Sequence, residues 1–196
     1  SDHAAELTIT GSEFADVITM TDNTNSSVTT VDLGAGNDTF VSVDATDTIT
    51  TGTGSDTITI QGDANDDVNV ITDFTAGAGG DIIDLVTSGV NDTGTGNEIA
   101  DSALATITGA VTGLANGLTI VDVAYTGALT AAGLETQFGT STIVSFADDA
   151  TDTGIFLFAE GGGTATIVAA ELTLLVTLQG VTDATTLTTA NFADFL

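Results

Sequence analysis

Leu33-Gly34-Ala35-Gly36-Asn37-Asp38-Thr39-Phe40-Val41 returns eighteen residues later as Thr51-Gly52-Thr53-Gly54-Ser55-Asp56-Thr57-Ile58-Thr59. Between the copies, Val43-Asp44-Ala45-Thr46-Asp47-Thr48-Ile49-Thr50 keeps the phase, so Asp38, Asp47 and Asp56 fall nine apart. Gly11 to Thr19 is a degenerate upstream copy, and Gly62 to Asn69 is a downstream copy one residue out of phase. A nine-residue unit holds a glycine turn and a very short strand, so two units make one full turn of a parallel β-roll. Residues eighteen apart then stack near the inter-strand spacing of about 4.8 Å. On that geometry Asp38 lies over Asp56, and the loops 34–38 and 52–56 stack. Phe40, Ile49 and Ile58 point into the roll. On the opposite edge Asp47 is expected to pair with the loop carrying Asp63 and Asp66.

Stacked carboxylates repel unless a cation lies between them. The chain carries 28 Asp and Glu with no Lys or Arg, for a formal charge of −28. Apart from the α-amino group and His3, nothing within it can offset those charges, and several fall within one Debye length of about 8 Å. Calcium, a hard cation that prefers carboxylates together with backbone carbonyls, fits this need. Gly34, Gly36, Gly52 and Gly54 permit the backbone conformations that aim loop carbonyls inward. The candidate ligand positions are therefore Gly34, Gly36, Asp38, Asp47, Gly52, Gly54, Asp56, Asp63 and Asp66.

The same charge argues against nucleic acid and anionic membranes as partners. An acidic chain can also be disordered or halophilic. Here 42% of residues are hydrophobic and mean hydropathy is +0.36, which opposes disorder. Halophilic proteins usually keep some Lys or Arg. There is no Cys, so no disulfide, and no apolar run approaches membrane-spanning length. The N-terminal SDHAAELTIT has no signal-peptide pattern. Pro is absent and 23 glycines are present, so glycine must make the turns.

Short alternating runs rich in Thr, Val and Ile (LTIT, VITM, TITT, DTITI, VNVITDF, STIVSF, IFLF, LTLLVTL) read as strands. Helical periodicity is confined to about Glu98–Thr108, where Ile99, Ala103, Leu104 and Ile107 share a face, to about Thr130–Phe138, and to a last short turn at Ala190–Leu196. The expected fold is mainly β. A calcium-binding parallel β-roll (β-solenoid) with its capping segment occupies residues 1–85. A β-rich C-terminal domain with one or two short helices occupies 86–196, packed with the roll or beside it.

The glycine–aspartate units resemble the nonapeptide glycine-glycine-x-glycine-x-aspartate-x-apolar-x of RTX proteins, which bacteria export by type I secretion. The resemblance spans about residues 11–85. Leu33 and Thr51 stand where the pattern has its first glycine, and the middle unit lacks glycines, which weakens the ligand set of the second edge. Val70-Ile-Thr-Asp73-Phe74, a glycine turn, then Asp81-Ile-Ile83-Asp84-Leu85 is similar to the segment that ends many RTX rolls. The resemblance implies that Asp73 and Asp81 close a last calcium site while Phe74, Ile83 and Leu85 cap the core. Residues 86–196 resemble C-terminal domains of RTX-associated surface-layer and adhesin-like proteins, through Gly154–Phe158, Thr166–Leu178, Gly180-Val181 and Leu187–Phe192. Relatives often carry an aspartate-rich loop where this chain has Glu160-Gly-Gly-Gly163, so no metal is expected there. The ending Asp194-Phe-Leu196 resembles type I secretion tails.

No catalytic constellation emerges. His3 is the one histidine, thiol chemistry has no residue, and no Lys or Arg can steady an oxyanion. Tyr125 is expected at a sheet edge. Asp148-Asp149 could serve glycoside hydrolysis, but Trp is absent and Tyr125 is the one tyrosine, so sugar-binding platforms are lacking. The sequence thus points to a non-enzymatic, extracellular, calcium-dependent structural protein on the bacterial cell surface. Its expected partners are copies of itself, bridged by calcium or strand pairing into a fibre or surface layer. The alternatives are the secretion and folding module of a larger adhesin, toxin or hydrolase, and a threonine-rich ice-binding face.

Overall fold

A computed structural model describes residues 7–20, 29–43, 46–62, 68–87, 105–107, 119–121, 146–148, 151–158 and 172–193. The first eight strands are β1 (Leu7–Thr10), β2 (Val17–Thr19), β3 (Thr29–Asp32), β4 (Thr39–Val43), β5 (Asp47–Thr50), β6 (Thr57–Gly62), β7 (Asn69–Ile71) and β8 (Ile82–Thr87). They alternate between two sheets. β1, β3, β5 and β7 are neighbours in one and β2, β4, β6 and β8 in the other, and every pairing among them is parallel.

Alternation within each strand decides what lies between the sheets, since successive side chains point to opposite faces. The register stacks Ile9, Val31, Ile49 and Ile71 in one column and Ile18, Phe40, Ile58 and Ile83 in the other. Val31, Phe40, Ile49, Ile58 and Ile71 are fully buried, as the repeat phase requires. Each such side chain contributes about 1.5–3 kcal/mol relative to exposure. The eighteen-residue step holds where Thr29 lies against Asp47 and Thr39 against Thr57. The flanking steps are longer: Val17 lies against Thr39, Thr48 against Val70 and Thr57 against Ile82.

The first sheet does not stop at β7. β13 (Leu172–Gln179) joins it in parallel, with Leu178 opposite Ile71. Beyond it come β12 (Asp152–Phe158), β11 (Phe146–Asp148), β10 (Thr119–Val121) and β9 (Ala105–Ile107); among the described residues this sheet has nine strands, with β1 and β9 at its edges. The pairings β13–β12 and β12–β11 are antiparallel, and β11–β10 and β10–β9 are parallel. The β12–β13 register shifts by one residue between Ile155 and Phe156, where β13 carries Leu175 as an extra residue.

The helix expected over Glu98–Thr108 is not formed at its C-terminal end. Residues 105–107 are a strand, because β-branched Thr106 and Ile107 pair with Ile120 and Val121, and this pairing outweighs a weak helical periodicity. Residues 98–104, the candidate helix at 130–138 and Tyr125 lie outside the described residues. At the C-terminal end, two 3-10 turns form at Ala184–Thr186 and Thr189–Asn191. The first is capped by the Asp183 carboxylate, which accepts from the Thr185 N–H at 2.9 Å. Val181, Ala184, Leu187 and Phe192 from this segment are buried in the same core as Ile71 and Ile83. Phe192 bridges to Ile83, and the Ala193 N–H donates to the Ile83 carbonyl at 2.9 Å, at the outer edge of β8. Among the described residues no helix is long and apolar enough to cross a membrane.

Candidate metal centre

Four loops, 11–16, 33–38, 51–56 and 75–81, stack along one edge where the chain passes between the sheets. Glycine sets how closely they approach. Gly34, Gly36, Gly52 and Gly54 have φ of 94°, 137°, 86° and 141°, a region that L side chains rarely adopt. A methyl group on Gly52 would collide with the Gly34 carbonyl oxygen, and one on Gly54 with the Gly36 carbonyl oxygen. The Thr53 N–H donates to the Gly34 carbonyl at 3.0 Å, and the Gly36 N–H to the Thr53 carbonyl at 2.9 Å. Successive glycine loops are therefore joined backbone to backbone, with no room for a side chain between them.

The aspartates that end the loops form a ladder. The Asp16 N–H donates to Asp38 Oδ1 at 2.7 Å, the Asp38 N–H to Asp56 Oδ1 at 2.7 Å, and the Asp56 N–H to Asp81 Oδ1 at 3.0 Å. Each carboxylate thus spends one oxygen on the backbone of the aspartate one coil nearer the N-terminus. Asp38, Asp56 and Asp81 are at most 1% exposed. The second oxygens of Asp38 and Asp56 are buried and have no hydrogen-bond partner. An ionised oxygen in that position is costly, because it has lost water and gained no donor. Burial pushes the Asp56 carboxyl up from 3.8 to about 6, and the nearby charges of Asp81, Asp38 and Asp73 add to the rise, while the Asp38 N–H works against it.

These features fit a hard divalent cation. Calcium takes six to eight oxygens at about 2.3–2.6 Å, from carboxylates and carbonyls together. Among the described residues no three His, Cys, Asp or Glu converge as a ready metal cage. A cation beside Asp38 and Asp56 would need further oxygens, for which carbonyls of the same loops are the candidates. Gly34, Gly36 and Asp38 lie in one loop, and Gly52, Gly54 and Asp56 lie in the next, stacked on it.

The remaining candidates divide. Asp73 Oδ1 accepts from the Thr51 N–H at 2.7 Å and the Thr51 hydroxyl at 2.9 Å, while Asp73 Oδ2 accepts from the Gly52 N–H at 2.8 Å. Asp81 Oδ2 accepts from the Thr75 N–H at 2.8 Å and the Thr51 hydroxyl at 3.1 Å. Both acids therefore hold the last loops through backbone donors, whatever else they bind. Asp47 lies on the other edge, buried, taking the Ser42 hydroxyl on Oδ2 at 2.7 Å and giving its N–H to Asn69 Oδ1 at 3.0 Å. Asn69, which accepts that N–H, begins β7. Asp63 and Asp66 lie outside the described residues.

Two site residues escaped the eighteen-residue spacing. Asp16 heads the ladder, but its coil is twenty-two residues from the next, so the periodicity does not place it over Asp38. Its position in the motif Gly11–Thr19 is the signal that identifies it. Asn191 is fully buried 110 residues from Asp81 and has no local signature. Its Oδ1 accepts from the N–H groups of Gly77 at 2.8 Å and Thr188 at 3.0 Å, and its Nδ2 donates to the Asp81 carbonyl at 2.8 Å and the Gly77 carbonyl at 3.2 Å. Comparison of the chain with protein-family models, curated proteins and solved structures finds no match.

Proposed function

We propose that the chain is an extracellular structural protein of the RTX kind, built on a short parallel β-roll that folds on binding calcium after secretion and then assembles into a fibre or surface layer. The observation that carries this reading is the pair of buried, unpartnered oxygens on Asp38 and Asp56, set between glycine loops in a chain without Lys or Arg. Without a cation these oxygens must either take up a proton or remain charged and desolvated. Calcium removes both penalties, and because the site exists only in the folded chain, its binding energy becomes folding energy. In a cytoplasm poor in calcium the acids keep the chain open for export. Outside, calcium drives it to the compact state.

Assembly is the proposed task, because the described residues carry no catalytic group beyond carboxylates and hydroxyls. A second reading, the secretion and folding module of a longer protein, is favoured by the outer edges of β1 and β2, which a preceding coil would cover. Negative-stain electron microscopy of the purified chain, in millimolar calcium and in chelator, separates the two. Ordered polymers that form in calcium alone support the structural reading. Monodisperse folded particles support the module.

A further inference from the structure

The two ends of the molecule are finished differently. The outer edge of β8 is met at Ile83 by Phe192 and Ala193. No described residue pairs with the outer edge of β1 or β2. Among the described residues the exposed large hydrophobics are Leu7 at 44%, Phe14 at 69% and Val17 at 77% exposed, and all three lie on this first coil. An open strand edge beside exposed apolar side chains is a template for strand addition.

Strand direction shows which edge would continue the sheet with its polarity kept. From β1 through β3, β5 and β7 to β13 all pairings are parallel. Two antiparallel steps follow, β13 to β12 and β12 to β11, and their reversals cancel. The last steps, to β10 and β9, are parallel again. β9 therefore runs in the same sense as β1, at the opposite edge of the same sheet. If β9 of one copy lies beside β1 of another, the pairing is parallel, like the β1–β3 and β10–β9 pairings inside each edge. The sheet then continues from copy to copy with its polarity kept. A contact between two different edges is heterologous, and one that does not close on itself propagates as a filament.

We infer that the outer edge of β1 receives β9 of a second copy, so that copies add head to tail through one continuous sheet. This rests on the assembly reading above and names the surface that performs it. With 28 acids on each copy, approach of two chains needs calcium on both.

The hydrogen-bonding pattern supplies a selective test. The Gly11 N–H points to the Asp32 carbonyl of β3, so by alternation those of Ile9 and Leu7 also face β3 while those of Thr8 and Thr10 face outward. Thr8→Pro removes an outward donor and no bond to β3, and proline is tolerated on edge strands. Leu7→Asp places a charge on the exposed apolar side chain of β1 itself, which is not part of the core cluster. Calcium titrations followed by circular dichroism should be unchanged in both variants, which keeps the fold as a control, and Leu7→Asp carries the test should the proline disturb β1. Sedimentation and electron microscopy in calcium should find wild-type filaments, Thr8→Pro monomers, and for Leu7→Asp a critical concentration about tenfold higher. Thr8→Pro keeps its β9 edge, so small amounts mixed with wild type should cap filaments and shorten them. Thr8→Pro chains that polymerise like wild type, or a closed wild-type dimer joined β1 to β1, would overturn this interface and leave calcium folding intact. Folded wild-type monomers in calcium would overturn the interface and the assembly reading together.

Discussion

Asp56 stands under two opposing demands: its Oδ1 is needed by the Asp38 N–H, while its Oδ2 has neither water nor donor. Without a cation, burial favours the protonated form and pushes the carboxyl up to about 6. The sign of the linkage follows. The folded chain holds this proton more tightly than the unfolded one, so Asp56 contributes stability below about pH 4 that is lost as pH rises to about 6. Urea denaturation in chelator should therefore show stability falling across that window, and saturating calcium should flatten or reverse the trend. Asp56→Asn keeps an acceptor for the Asp38 N–H and removes the charge. It should weaken the calcium response about tenfold or more, and abolish the pH trend between 4 and 6, both read by circular dichroism. If the variant titrates with calcium like wild type, the cation is not at this ladder.

At the scale of elements, the stacked loops depend on what holds the last of them. Asn191 ties loop 75–81 to the C-terminal turns, and Asp81 in that loop holds the Asp56 N–H. Asn191→Ala would strand the Asp81 carbonyl and the Gly77 N–H, and should cost about 2–4 kcal/mol in denaturant titrations with calcium present. A loss under 0.5 kcal/mol, roughly the size of an ordinary surface substitution, would show that the turns merely lie against the loop. Much of this region is legible from local sequence. The nine-residue phase of Asp38, Asp47 and Asp56 places Phe40, Ile49 and Ile58 inside and the 34–38 loop on the 52–56 loop, because side-chain alternation and strand spacing leave one consistent stacking. The longer flanking steps are not legible, since a surface loop lengthens at little entropic cost and leaves no trace in the strand pattern. For the same reason spacing alone does not place Asn69 beside Asp47, whose N–H it accepts. Asn191 is invisible for a different reason: its partners are more than a hundred residues away. Ala105–Ile107 shows the converse failure, a helical period overridden by long-range strand pairing.

For the whole molecule, the continuity of one sheet from β1 through β7 and β13 to β9 joins the two halves in a single hydrogen-bonded body. That body concentrates its carboxylates with no Lys or Arg. The hydrophobic columns favour the compact state and the charge opposes it; in the function proposed above, an external divalent ion tips the balance. Far-UV circular dichroism at about pH 7 and low salt, recorded from chelator through a calcium titration, tests this most directly. The spectrum should be that of an unfolded chain in chelator and turn to β as calcium binds, with magnesium far less effective because it demands a tighter, more regular oxygen shell. A full β spectrum in chelator, unchanged by calcium, would contradict it: the aspartate ladder would then be a backbone cap and no metal site.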